Sequence, residues 1–122
     1  DISGFVEARN CRKSADHEIQ FIRVLVDEAA REPYVGRALD FPTGAVVLKA
    51  QYDYSDVDCT GDVVQWTVMR RADDAPAVQL GWNWQRVGAD RKVVSENDSS
   101  CFGCHTDCTS PPDFYRNTCA VP

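Results

Sequence analysis

The 122-residue sequence predicts an α+β fold, mainly an antiparallel β-sheet in meander order with one N-terminal helix. Three observations carry this expectation. One apolar run near the N-terminus has helical spacing, several later runs alternate with period two, and the connections between them are too short for crossover helices. The helix is expected from Ile19, where Ile19, Ile22, Leu25, Val26 and Ala29 follow i, i+3, i+4 spacing. Ser14 or Asp16 is its N-cap and Pro33 its end. The first strand alternates Val46, Leu48, Ala50, Tyr52 and Tyr54 with Val47, Lys49, Gln51 and Asp53. A second alternates Val64, Trp66 and Val68 with Gln65 and Thr67, and a third Leu80, Trp82 and Trp84 with Asn83 and Gln85. Turn residues separate them at 58–62 and at 73–77, where Pro76 falls. Gly88-Ala89-Asp90 is read as a hairpin into a short fourth strand near Lys92 to Ser95. Residues 96–122 are polar, with a Pro-Pro pair and no long periodic segment.

Length and composition point to one domain over residues 1–122, with 43% hydrophobic and 26% charged residues. The net charge of −6, with basic residues only singly or in pairs such as Arg70-Arg71, excludes polyphosphate binding and hence a nucleic-acid partner. The longest apolar stretches, such as Ala45 to Leu48, fall far short of the roughly 20 residues a membrane span needs. Six cysteines in so short a chain point to an oxidising, exported setting, here a bacterial periplasm.

Cys101-Phe102-Gly103-Cys104-His105 is Cys-x-x-Cys-His, the attachment signature of c-type haem. Two thiols on one turn of chain can add to the two vinyl groups on one porphyrin edge, and the adjacent histidine then serves as proximal ligand to the iron. Other readings compete. All six cysteines could form three disulfides, or Cys101, Cys104, Cys108 and Cys119 could close a zinc site. A single haem c accounts for Cys101 and Cys104 and leaves Cys11, Cys59, Cys108 and Cys119 as an even set. Of three connectivities, Cys108 with Cys119 around Pro111-Pro112, and Cys11 with Cys59, is the expected one.

The iron's sixth position separates an electron carrier from a ligand-binding haem. No residue after His105 is Met or His. Met69 on a strand and His17 at the helix start remain as candidates, and an open distal site is expected over either.

Several segments together resemble the cytochrome P-460 family, with its relatives the cytochromes c′-beta, over roughly residues 16 to 116. Tyr34-Val35-Gly36, then Phe41-Pro42-Thr43-Gly44-Ala45-Val46-Val47-Leu48-Lys49, look like the family's aromatic-Pro-x-Gly run into a lysine-bearing strand. Gly81-Trp82-Asn83-Trp84 looks like its glycine-aromatic strand, and Cys101 to His105 followed by Asp113-Phe114 like its haem segment. The resemblance implies a mainly antiparallel β fold, often homodimeric, with His105 proximal and a distal pocket built from the sheet. It implies a small gaseous or nitrogenous ligand, nitric oxide or hydroxylamine, and leaves a redox partner protein open. In the hydroxylamine-oxidising members a lysine is bonded to the porphyrin, and Lys49 matches its place. By alternation alone, Lys49 shares a face with Val47 and Gln51 and would be solvated.

The expected function is therefore a mono-haem c-type cytochrome with an open iron site, binding nitric oxide or oxidising hydroxylamine; whether it is an enzyme stays open. Oxidising hydroxylamine demands a base above the iron, for which Asp73 and Asp74 are candidates, whereas an apolar wall of Val47, Phe41 or Trp84 would suit an uncharged gas. The alternative is a six-coordinate electron-transfer cytochrome using Met69, His17 or Lys49, and the third class a non-haem, disulfide-stapled binding domain.

Overall fold

The computed structural model describes residues 2–13, 20–36, 40–106 and 118. Six strands form one antiparallel sheet in sequence order: β1 (Val6–Lys13), β2 (Phe21–Val26), β3 (Val46–Tyr52), β4 (Gln65–Arg71), β5 (Trp82–Gly88) and β6 (Val93–Glu96). Two short α-helices accompany it, α1 (Glu28–Val35) between β2 and β3, and α2 (Ser99–His105) after β6. The expected meander is present, and its last four strands lie close to the alternating runs in the sequence. Among the described residues no helix is long and apolar enough to cross a membrane.

The expected helix from Ile19 is corrected: Phe21–Val26 is the strand β2. Ile22, Val24 and Val26 are buried and Phe21, Arg23 and Leu25 half-buried, which is period two. Ile22 and Val26 satisfy both periods, whereas Val24 fits only the strand and Leu25 only the helix. The β-branching of Ile22, Val24 and Val26 and their pairing with β1 and β3 decide for the strand. Ser14, Asp16, His17 and Ile19 lie outside the described residues.

The helix of this region is α1, capped by Asp27, whose Oδ1 accepts from Ala30 N (3.0 Å) and Val46 N (3.1 Å). One carboxylate thus satisfies an orphan helical donor and joins the helix start to β3. Pro33 lies inside α1 and does not end it. A helix this short loses a single hydrogen bond to the proline and keeps the burial of Ala30 and Tyr34. Gly36 ends it, its N–H donating to Glu32 O at 2.8 Å.

The Phe-Pro-x-Gly run is a turn. Ala45 N donates to Pro42 O (3.0 Å), and Gly44 has φ +90°, a conformation costly for any residue with a Cβ. Gly44 N donates to Arg71 O (2.8 Å), so the turn delivers β3 into register with β4.

Cross-strand partners and i, i+2 neighbours share a face. One face carries Val26, Val47, Met69 and Trp84 in one row and Val24, Lys49, Thr67 and Arg86 in the next. The main core lies here, where Ile22, Val24, Val26, Val47, Met69, Trp82 and Trp84 pack with Ala30 and Tyr34 of α1 and with Phe41. On the other face, Ala50, Tyr52 and Cys59 form a smaller cluster with Phe21, Val63 and Trp66. Cys11 and Cys59 stand at disulfide distance, Cα to Cα 5.8 Å, fastening edge strand β1 to the loop after β3. Arg23 reinforces this junction, bonding Glu7 (2.9 Å) and Asp58 O (3.2 Å). Cys108 and Cys119 lie outside the described residues.

Candidate haem-attachment site

The cysteine motif occupies α2. Asp98 caps this helix, its Oδ1 accepting from Ser100 N (2.9 Å) and Ser100 Oγ (2.8 Å). Those bonds, the backbone one first, hold the Asp98 carboxyl below its ordinary value of 3.8. A carboxylate with a depressed folded-state pKa stabilises the cap above its unfolded value, and that contribution disappears as pH falls through the lower folded value. Acidification below about pH 4 should therefore lower the protection of the Ser100 and Cys101 amides against exchange, measured relative to the intrinsic rate at each pH. Asp98→Asn should lose this pH dependence, and equal acid sensitivity in both proteins would refute it.

Helical periodicity arranges the motif. Cys101 and His105, four residues apart, turn toward the sheet, Cys101 packing with Phe102 against the main core and His105 only 7% exposed. Cys104, three residues from Cys101 and so beside it, is exposed. The His105 imidazole meets the Trp84 indole edge-on, ring centroids 4.7 Å apart and planes at 60°. Arg86 Nη2 donates to Ser100 Oγ (2.9 Å), so α2 is also held at its start.

Two features of this arrangement fit covalent haem. Cys101 and Cys104 are free thiols on adjacent positions of one helix, while Cys11 and Cys59 are paired. A buried imidazole follows the second thiol directly. Among the described residues no group of three or more His, Cys, Asp or Glu is placed to hold a metal ion.

Alternation alone put Lys49 on a polar, solvated face, while the family resemblance made it a candidate haem-bonded lysine; the structure gives the expected register with a buried environment. It stands between Val24 and Thr67, shares the core face with Val47 and is 8% exposed. Gln51, also buried, accepts from Gln65 Nε2 at 2.9 Å in the next row. Lys49 thus occupies the same sheet face as the core against which Cys101 and Phe102 pack.

Met69 is buried between Val47 and Trp84 in the sheet register. Asp73 pairs with Arg71 Nη2 (3.0 Å) and accepts from the Thr43 hydroxyl. Arg71 is only 4% exposed and also holds Asp40 (3.0 Å) and Gly81 O (2.9 Å), which places Asp73 in a structural clamp joining the strand ends. Of the apolar residues expected to wall a distal pocket, Phe41, Val47 and Trp84 all lie in the main core, and Trp84 also packs on His105. A groove of about 400 Å³ bordered by Val46, Val68, Arg70, Asn83 and Glu96 contains none of the motif's cysteine or histidine donors.

Sequence reasoning missed Asp98, Gln79 and Asn97. An Asp-Ser-Ser start before the cysteines was a readable N-cap signal for α2. Gln79 and Asn97 act through loop contacts and carry no such signal.

No curated protein matches the chain. Residues 5–114 of its 122 match the family Cytochrome P460, whose members bind haem c covalently. With its cysteine motif on a core-packed helix of an antiparallel sheet, the chain belongs to the cytochrome P460 family.

Proposed function

We propose that residues 1–122 form one exported mono-haem c-type domain with an open distal iron site, whose role is reversible binding of a small uncharged gas of the nitric oxide kind. Cys101 and Cys104 hold the haem by thioether bonds and His105 is its proximal ligand. The haem supplies an iron centre able to bind such a ligand. The observation that carries the reading is the buried His105 packed on Trp84, one helical turn from a free thiol core-packed at Cys101.

Two further observations favour an open site and a gas. Met69 is committed to core packing between Val47 and Trp84. On the core face, none of the residues that β2 to β5 contribute in the registered rows, from Ile22, Val24 and Val26 of β2 to Trp82, Trp84, Arg86 and Gly88 of β5, is a carboxylate. Hydroxylamine oxidation needs a base to take protons. Binding an uncharged gas needs none.

The test is the absorption spectrum of the ferrous protein with and without nitric oxide or carbon monoxide. A ligand-induced change is expected; no change would replace this reading by a six-coordinate electron carrier. Chemical cleavage of the thioethers should release haem cleanly from the chain. Haem retained on the peptide containing Lys49 would instead identify a crosslink and return hydroxylamine oxidation to first place.

A further inference from the structure

The contacts of Trp84 carry an inference that rests on His105 being the proximal ligand and adds a residue that reading does not assign. Trp84 is buried in β5, and its indole is fixed: Nε1–H donates to Gln79 O at 3.0 Å. Its main chain is fixed as well. Trp84 N donates to Asn97 Oδ1 (2.9 Å), and Trp84 O accepts from Asn97 N (2.7 Å). Gln79 closes the network, its Nε2 donating to Asn97 Oδ1 (2.9 Å) and Trp82 O (3.1 Å).

Asn97 has φ +50°, left-handed backbone that asparagine tolerates better than most residues, and it directly precedes Asp98, the cap of α2. The chain leaves β6 and turns into α2 at the residue that grips Trp84. At the other end of that helix, His105 lies against the Trp84 ring. One tryptophan therefore holds both ends of the cysteine-bearing segment, Asn97 by main-chain bonds and His105 by ring contact.

A histidine ring does not orient itself, because its second side-chain torsion is broad and roughly two-fold. Groups around a ligating imidazole set its orientation and so its bond to the metal. We propose that Trp84 is the positioning residue of the proximal histidine: its Gln79-locked indole fixes the plane of the His105 imidazole, and its Asn97-clamped main chain fixes where the haem helix begins.

The experiment uses the haem-loaded, ferrous protein and reads the iron–imidazole stretching band by resonance Raman, with the reduction potential as a second readout. Trp84→Leu should shift the band to lower frequency, broaden it and move the potential, with haem still covalently attached. Trp84→Phe, which keeps a ring beside His105 but loses the Gln79 lock, should give a band between those of the parent and Trp84→Leu. A parent band unchanged in both variants, with unchanged potential, would overturn the proposal and leave His105 ligation intact. Absence of the band in the parent would instead count against the open-site reading.

A measurement without substitution covers that case and any failure of the leucine variant to fold. In the ferrous protein under carbon monoxide, nuclear Overhauser contacts between the Trp84 indole and His105 ring protons are expected. Their absence would overturn the proposal.

Discussion

Trp82→Ala should cost about 3–5 kcal/mol, the usual range for deleting a fully buried large aromatic, and a large part of the roughly 5–15 kcal/mol by which a typical domain is stable. Trp82 is 0% exposed and the largest fully buried side chain among the described residues. Its ring meets Phe41 edge-on at a centroid distance of 5.2 Å, joining the loop before β3 to β5. It also lies opposite Arg71 in the ladder, where the arginine binds Asp40, Asp73 and Gly81 O. The vacated volume would sit beside a buried cation, so the surroundings cannot collapse without disturbing that clamp. Denaturant titration of the haem-loaded protein checks this, and a loss under about 1 kcal/mol would show that the site relaxes freely. Trp82→Phe, keeping most of the volume, should recover the larger part of the loss.

His105→Ala should leave haem attached through Cys101 and Cys104 yet abolish the normal ligand-binding spectrum. The cysteines lie on α2 independently of the imidazole, with Cys101 and Phe102 packed against the core and Asn97 and Arg86 holding the helix start. What disappears is the nitrogen donor and its contact with Trp84. Absorption spectra of the ferrous variant with and without carbon monoxide provide the check, alongside the intact mass that verifies haem retention. A spectrum equal to the parent's would disprove His105 as proximal ligand.

Two secondary-structure readings failed, each for its own reason. From Ile22 to Val26, Ile22 and Val26 fit both a helical stripe and a strand alternation, and pairing with β1 and β3 selects the second. Pro33 read as a helix end because a proline usually is one, yet Ala30 and Tyr34 bury enough of α1 to carry the missing bond. Strand β1, with Glu, Arg, Asn and Lys among its residues and register shifts near Arg9, had no pattern to read. It is an edge strand, and polar, irregular edges guard against unwanted pairing. The site divides in the same way. The thiols and imidazole were legible because covalent attachment demands adjacent residues of fixed type. The grip of Gln79, Asn97 and Trp84 joins positions up to 18 residues apart and left no local signature.

By itself the sequence determined the meander of β3 to β6, the motif that attaches haem and the resemblance that places the chain in its family, since each is written in spacing between near neighbours. Tertiary structure alone decided that Phe21–Val26 is a strand, that Lys49 is buried on the core face and that Trp84 backs the histidine. The physical reason is that alternation assigns a residue to one side of a sheet but cannot say which side will be covered. That depends on where α1 and α2 pack, and on the free energy of burying their apolar surface.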